Sequence, residues 1–149
     1  MQLLTKPTKA SDIKRTWHLV DVKDKVLGRI SVEIAHALVG KAKPYFVRNL
    51  DCGDYVVVLN AKHVAVTGKK ESEKLYSNYS GFPGGLKQKQ LWQVRKEKPT
   101  DLIRRAVMGM LPKNKLRDRL ITRLYVYPDA EYPYEDKFKS QNSKVKTAS

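Results

Sequence analysis

Five consecutive residues, Tyr55-Val56-Val57-Val58-Leu59, constrain this chain more than any other segment. β-Branched side chains suit an extended, pleated backbone. An uninterrupted apolar run also leaves no face for water, so the strand must be covered on both sides, as in a parallel sheet between other layers. Turn residues Asp51-Cys52-Gly53-Asp54 lead into it, and Asn60-Ala61-Lys62 interrupts it. The alternation in Trp17-His18-Leu19-Val20-Asp21-Val22 predicts an earlier strand. A turn at Lys23-Asp24-Lys25 follows, and then Leu27, Ile30, Ile34, Ala35 and Leu38 recur at helical spacing. Gly40 stands where a left-handed helix cap belongs, with Lys41 and Lys43 just beyond it. A strand leading into an amphipathic helix opens an α/β unit.

Further along, His63-Val64-Ala65-Val66-Thr67 reads as another short strand, ended by Gly68, which opens the basic stretch Gly68-Lys69-Lys70. Residues 70–80 are mixed; a helix there would set Tyr76 and Tyr79 on one side, beside Lys74. Gln88 to Val94 admits either a strand or an irregular arm. Pro99-Thr100-Asp101 starts a helix whose stripe is Leu102, Ile103, Ala106, Val107, Met110 and Leu111, leaving Arg104, Arg105 and Met108 off it. Pro112 ends that helix. Leu116, Leu120, Ile121 and Leu124 suggest a further short helix, with Lys113, Lys115, Arg117, Arg119 and Arg123 on its polar side. Tyr125-Val126-Tyr127 reads as the last strand. The expected organisation is a flexible arm over 1–15, a single domain over 16–138 and a disordered lysine-rich tail over 139–149.

Charge narrows the partners. The 149 residues carry 30 Lys+Arg against 15 Asp+Glu, a formal net charge of +15, while 41% of the chain is hydrophobic. This is a chain with a real core and a cationic surface that repels itself unless a polyanion is near. Nucleic acid fits. A membrane does not, since no apolar run approaches the ~18 residues needed to span one. The single cysteine, Cys52, leaves no intramolecular disulfide framework and fits a reducing compartment. Residues 1–15 lack the apolar segment of a secretory signal, so an intracellular soluble protein is expected.

Catalysis finds no support. His18, His36 and His63 are scattered, and no metal-ligand spacing or phosphate-binding glycine loop is present. Asp51 and Asp54 flank a turn glycine, where carboxylates cap backbone N–H groups, and Cys52 has no base partner. A nucleotide-dependent α/β enzyme would need a Gly-x-Gly-x-x-Gly after the first strand, which is missing. No catalytic residue, metal site, cofactor or small-molecule substrate is therefore expected.

Two glycine-marked basic segments carry the binding expectation: Gly81-Phe82-Pro83-Gly84-Gly85-Leu86-Lys87 and Met108-Gly109-Met110-Leu111-Pro112-Lys113-Asn114-Lys115. Proline and glycine shape a loop so that backbone N–H groups and ammonium groups approach phosphates together. The expected RNA-binding set is Lys41, Lys43, Lys69, Lys70, Lys74, Tyr76, Tyr79, Pro83, Gly84, Gly85, Lys87, Arg104, Arg105, Lys113, Asn114, Lys115 and Arg119.

Taken in order, these motifs resemble the bacterial-type large-subunit ribosomal protein thirteen family from about Trp17 to about Pro133. They are Val20-Asp21, Leu27-Gly28-Arg29, Gly40-Lys41, Asp51-Cys52-Gly53-Asp54 with Asn60-Ala61, Thr67-Gly68-Lys69-Lys70, Pro83-Gly84-Gly85, Gly109-Met110-Leu111-Pro112-Lys113-Asn114 and Leu124-Tyr125-Val126-Tyr127. The resemblance implies an α/β fold, three-layer α/β/α with a small, mainly parallel four-stranded sheet. It implies a structural constituent of the large ribosomal subunit that binds large-subunit rRNA, adjoins neighbouring ribosomal proteins and supports early assembly without catalysis. The implied location is the cytoplasmic ribosome, with an organellar ribosome and a secondary role as a messenger-RNA-binding regulator left open. The chain departs from the family where histidines are common: Tyr79 stands before the Pro-Gly-Gly loop, and Tyr132-Pro133-Tyr134 replaces a His-Pro-His. A tyrosine ring can still stack on a base, which makes Tyr79, Tyr132 and Tyr134 RNA-contact candidates.

Overall fold

The computed structural model describes residues 7–138, so the expected tail over 139–149 and the first residues of the arm lie outside the described residues. The central strand is β2 (Tyr55–Leu59), with parallel β1 (Trp17–Asp21) on one side and parallel β5 (Leu124–Val126) on the other. Trp17 pairs with Tyr55, and Val57 with both Leu19 and Tyr125. Val56, Val57 and Val58 are all fully buried, as the continuous apolar run requires.

The two faces of the sheet are covered differently. Val56 and Val58 join a core with Ile30, Ile34 and Leu38 of α1 (Leu27–Val39) and Ile103 and Val107 of α4 (Pro99–Met110). Leu120 and Ile121 of α5 (Arg117–Ile121) close this core. Val57 points the other way, onto a face where the Trp17 ring stacks on Tyr55 at 4.5 Å and on Tyr125 at 5.9 Å. Tyr134 and Phe138 from the end of the described chain pack over Trp17 at 5.3 and 6.1 Å.

The fourth expected strand, His63–Thr67, is a correction. Asn60 adopts a left-handed conformation at φ 60°, which turns the backbone into a 3₁₀ turn over Ala61–His63. All that survives of that strand is one isolated parallel bridge, Val26 to Ala65. Residues 70–80 are also not one helix. A single turn, α2 (Lys70–Glu73), leads into β3 (Leu75–Tyr79), which pairs antiparallel with β4 (Leu86–Gln90). The chain then forms α3 (Leu91–Glu97), where a strand or arm was expected over Gln88–Val94. Leu91, Val94 and Leu102 make a small second core that fixes this hairpin unit to α4.

Helix boundaries follow their residues. Gly40 caps α1 at φ 79°, and its N–H bonds the His36 carbonyl. Pro99 occupies the first turn of α4, where its missing N–H costs nothing. Leu111, held extended by the following Pro112, ends that helix. Gly109 lies inside α4 rather than in a loop, so of the two glycine-marked segments only Gly81–Lys87 is a glycine-shaped loop.

The described part of the arm is held in place. Thr8 Oγ1 donates to the Tyr45 carbonyl at 3.0 Å, and Arg15 Nη1 to the Gly53 carbonyl at 2.8 Å. These bonds link Thr8 and Arg15 of the expected flexible arm to the connection between α1 and β2.

Candidate nucleic-acid interface

Cations on this protein divide into those satisfied internally and those presented outward. Lys43 belongs to the first kind. Its Nζ donates to Asp54 Oδ1 at 2.5 Å, to the Lys14 carbonyl at 2.7 Å and to the Cys52 carbonyl at 2.8 Å. An ammonium has three donors, so none remains for a phosphate. Lys43 is thus a structural residue, contrary to the binding role expected from its place after Gly40. Asp54 also accepts from the Thr16 N–H at 2.9 Å and pairs with His18 Nε2 at 2.9 Å. Burial pushes the Asp54 carboxyl up, but hydrogen bonds from His18, Lys43 and Thr16 outweigh it and hold the group far below the usual carboxylate range.

Asp51 does the same work one turn away. Arg123 grips both its oxygens, Arg15 pairs with it at 3.4 Å, and the Gly53 N–H donates to it at 3.3 Å. Burial raises the Asp51 carboxyl, and Arg123, Arg15 and Gly53 together bring it below its ordinary value. The capping role expected for Asp51 and Asp54 is present and reinforced by three cationic side chains, Arg15, Lys43 and Arg123. Close packing also fixes this corner: a Cβ on Gly53 would sit 1.6 Å from the Leu38 carbonyl oxygen.

Several outward cations line two recesses beside α4, while others, such as Lys23, Lys25, Lys89 and Lys96, are exposed elsewhere. A groove of about 600 Å³ runs between α1, the 41–50 connection and the α4–α5 turn. Val32, Ala35, Phe46, Leu50, Met110 and Leu116 form its apolar walls, and His36, Lys41, Arg48 and Asn114 are its polar members. A second recess of about 390 Å³ opens on the other side of Met110, with Lys70, Lys74 and Arg105 beside the start of α1. Met110 lines both, so the two recesses are neighbours on one surface. No carboxylate lines either one.

Of the expected set, the first groove brings together Lys41 and Asn114, and the second recess Lys70, Lys74 and Arg105. Arg104, Lys113, Lys115 and Arg119 are exposed on the same α4–α5 region, Arg104 and Arg119 as the helix periodicity predicts. Arg123, expected on the same polar side, instead lies beyond the end of α5 and is buried against Asp51. Tyr76 is clasped by two cations, Lys74 Nζ at 5.2 Å and the Arg105 guanidinium at 5.4 Å from its ring centre. Lys69 is exposed beside α2. Tyr79, Pro83, Gly84 and Lys87 lie on the exposed hairpin, with Gly84 at φ 71°, and Gly85 is half-buried against Ser80. Tyr134 stacks on the sheet and Tyr132 packs on Phe138, so both rings have protein partners already.

His36, Phe46 and Arg48 were missed in the sequence, and Met110, expected on the core stripe of α4, is instead an exposed residue at the helix end that lines both recesses. Phe46 offered a signal, as an aromatic inside an otherwise polar connection that must pack against something. Arg48 offered none beyond its charge. Among the described residues no cluster of three or more His, Cys, Asp or Glu could hold a metal, and no helix is long and apolar enough to cross a membrane.

Residues 15–133 match the family model described as ribosomal protein L13. A large ribosomal subunit protein uL13 of Dehalococcoides mccartyi is 51% identical over 130 residues, covering 87% of this chain and 91% of the relative. Proteins of the same name from Geobacter sulfurreducens and Coprothermobacter proteolyticus are each 47% identical, over 131 and 127 residues, covering 88% and 85% of this chain and 92% and 89% of theirs. An α/β core of parallel strands, a cationic surface built on its helix ends and a family match over most of the length converge: this chain belongs to the ribosomal protein L13 family.

Proposed function

We propose that this protein is a structural constituent of the large ribosomal subunit in the cytoplasm, binding large-subunit rRNA through the α4–α5 face and supporting subunit assembly. Family membership carries the ribosomal, non-catalytic role. The observation that carries the RNA reading is the pair of carboxylate-free recesses on either side of Met110, each with cationic side chains. Phosphates suit such a surface because Lys41, Arg48, Lys70 and Lys74 are exposed and no carboxylate lines either recess. The hairpin β3–β4 extends the surface with Lys87 on the same face as Tyr76, opposite Tyr79 and Leu86.

Filter binding to large-subunit rRNA across a salt series tests the reading. With ~6 to 10 phosphates neutralised, log affinity falls with log salt at a slope of roughly −5 to −9. A nearly flat response would remove the electrostatic account. Sedimentation of lysate at physiological salt gives the second readout: co-migration with large subunits supports the structural role, and a dominant free pool favours a messenger-RNA-binding regulator.

A further inference from the structure

We infer that the groove between α1 and the α4–α5 turn receives one unstacked base of the bound RNA, with the flanking phosphates on Lys41 and Arg48. The inference rests on the rRNA reading above and adds what a general cationic face does not supply: a place where a base inserts.

Four observations carry it. Phosphate binding alone needs no apolar cavity, yet this groove of about 600 Å³ is walled by Val32, Phe46, Met110 and Leu116. Its size is that of small-ligand sites, which range over roughly 300–1,000 Å³. Val32 and Met110 are 44% and 43% exposed, an arrangement that leaves two large apolar side chains in water until something covers them. The rim chooses the occupant, because Lys41 and Arg48 stand beside the groove and no carboxylate lines it. An apolar body with anionic flanks is what fits, and an unstacked nucleotide has that form.

Asn114 adds base recognition. Its Oδ1 accepts the Leu116 N–H at 3.1 Å, which orients the amide and leaves the Nδ2 hydrogens as donors at the groove. A base carbonyl or ring nitrogen can accept them.

The test uses the full chain on large-subunit rRNA, with two kinds of footprint. Hydroxyl radicals report the sugar–phosphate backbone, and dimethyl sulfate with carbodiimide reports the base edges. The parent protein is expected to protect one unpaired base within its backbone footprint. Val32→Trp fills the groove from a half-exposed position, so it is expected to fold as the parent does. It should restore that base's reactivity, keep most of the backbone footprint and weaken binding roughly 10-fold, the scale of one lost base stack. Met110→Trp fills the groove from the opposite wall and should do the same, which guards against a fault particular to position 32. Backbone protection with no base whose reactivity depends on the groove would overturn the inference and leave the rRNA reading intact. Loss of all protection in the parent protein would overturn both. A photo-crosslinker at position 32 that captures only protein in assembled subunits would give the groove a different occupant and also end the proposal.

Discussion

Lys41 and Lys43 stand two positions apart after the same helix cap and do different work. Lys43 is 13% exposed and its partner Asp54 7%, and the ammonium is bonded to three acceptors. Removing one member of a buried pair leaves the other charge without compensation, so Lys43→Met is expected to cost about 3 kcal/mol. A urea midpoint at pH 7 measures it, and a midpoint equal to the parent's would refute the structural role. Lys41→Ala should shift stability by no more than about 0.5 kcal/mol and instead lower the salt slope of rRNA binding by about 1. Acid sensitivity follows from the same corner. Asp51 and Asp54 are held below their ordinary values in the fold. Their stabilisation is therefore present above the unfolded carboxyl value of about 3.9 and is lost as pH falls through the folded values. Unfolding free energy should be level near neutrality and decline from about pH 5 downward. Equal stability at pH 6 and pH 3 would show that these carboxylates contribute nothing.

Elements were legible in the sequence wherever one period dominated. The run Tyr55–Leu59, the stripe from Leu27 to Leu38 with its Gly40 cap, and the helix begun by Pro99 each formed as read. The hairpin was not legible, because β3 and β4 are exposed on both faces and so carry no apolar alternation. Its strands are joined by backbone pairing around the Gly81–Gly85 loop, and Arg105 reaches across to Tyr76 and to Asn78 Oδ1 at 3.4 Å. The groove was half legible. Lys41 and Asn114 were singled out for their chemistry, but only tertiary packing brings the end of α1 beside the α4–α5 turn. That turn is itself locked by Arg117, which donates to the Met108 carbonyl at 2.6 and 3.1 Å. Arg104, Lys113 and Lys115 have no such structural duty and are exposed. Replacing these three with alanine should leave the circular dichroism spectrum and melting unchanged while reducing incorporation into large subunits several-fold. Normal incorporation by the folded triple variant would put the RNA face elsewhere on the molecule.

At the scale of the whole molecule the sheet separates two jobs. Helices α1, α4 and α5 cover one face and present the cationic recesses at their ends. The opposite face is covered in part by packed rings, and the outer members, Tyr134 and Phe138, lie just beyond the matched residues 15–133. These ring contacts assign the C-terminal segment a role in stability, one that is separable from the RNA surface proposed above. A chain ending at Ala130 loses both rings from above Trp17 and should be destabilised by about 2–4 kcal/mol, the scale of burying two aromatic side chains in part. In a Trp92→Phe background, which leaves Trp17 as the only indole, its emission should move to the red as water reaches the ring. A chain ending at Phe138 keeps these rings and should match the full-length protein in both measurements. At temperatures where it is folded, the shorter chain should still bind rRNA with the parental salt slope, since every recess cation remains. Unchanged melting and emission in the chain ending at Ala130 would mean that Val57 and Trp17 need no cover from the C-terminal segment. A reduced salt slope would mean that the aromatic face takes part in RNA binding after all.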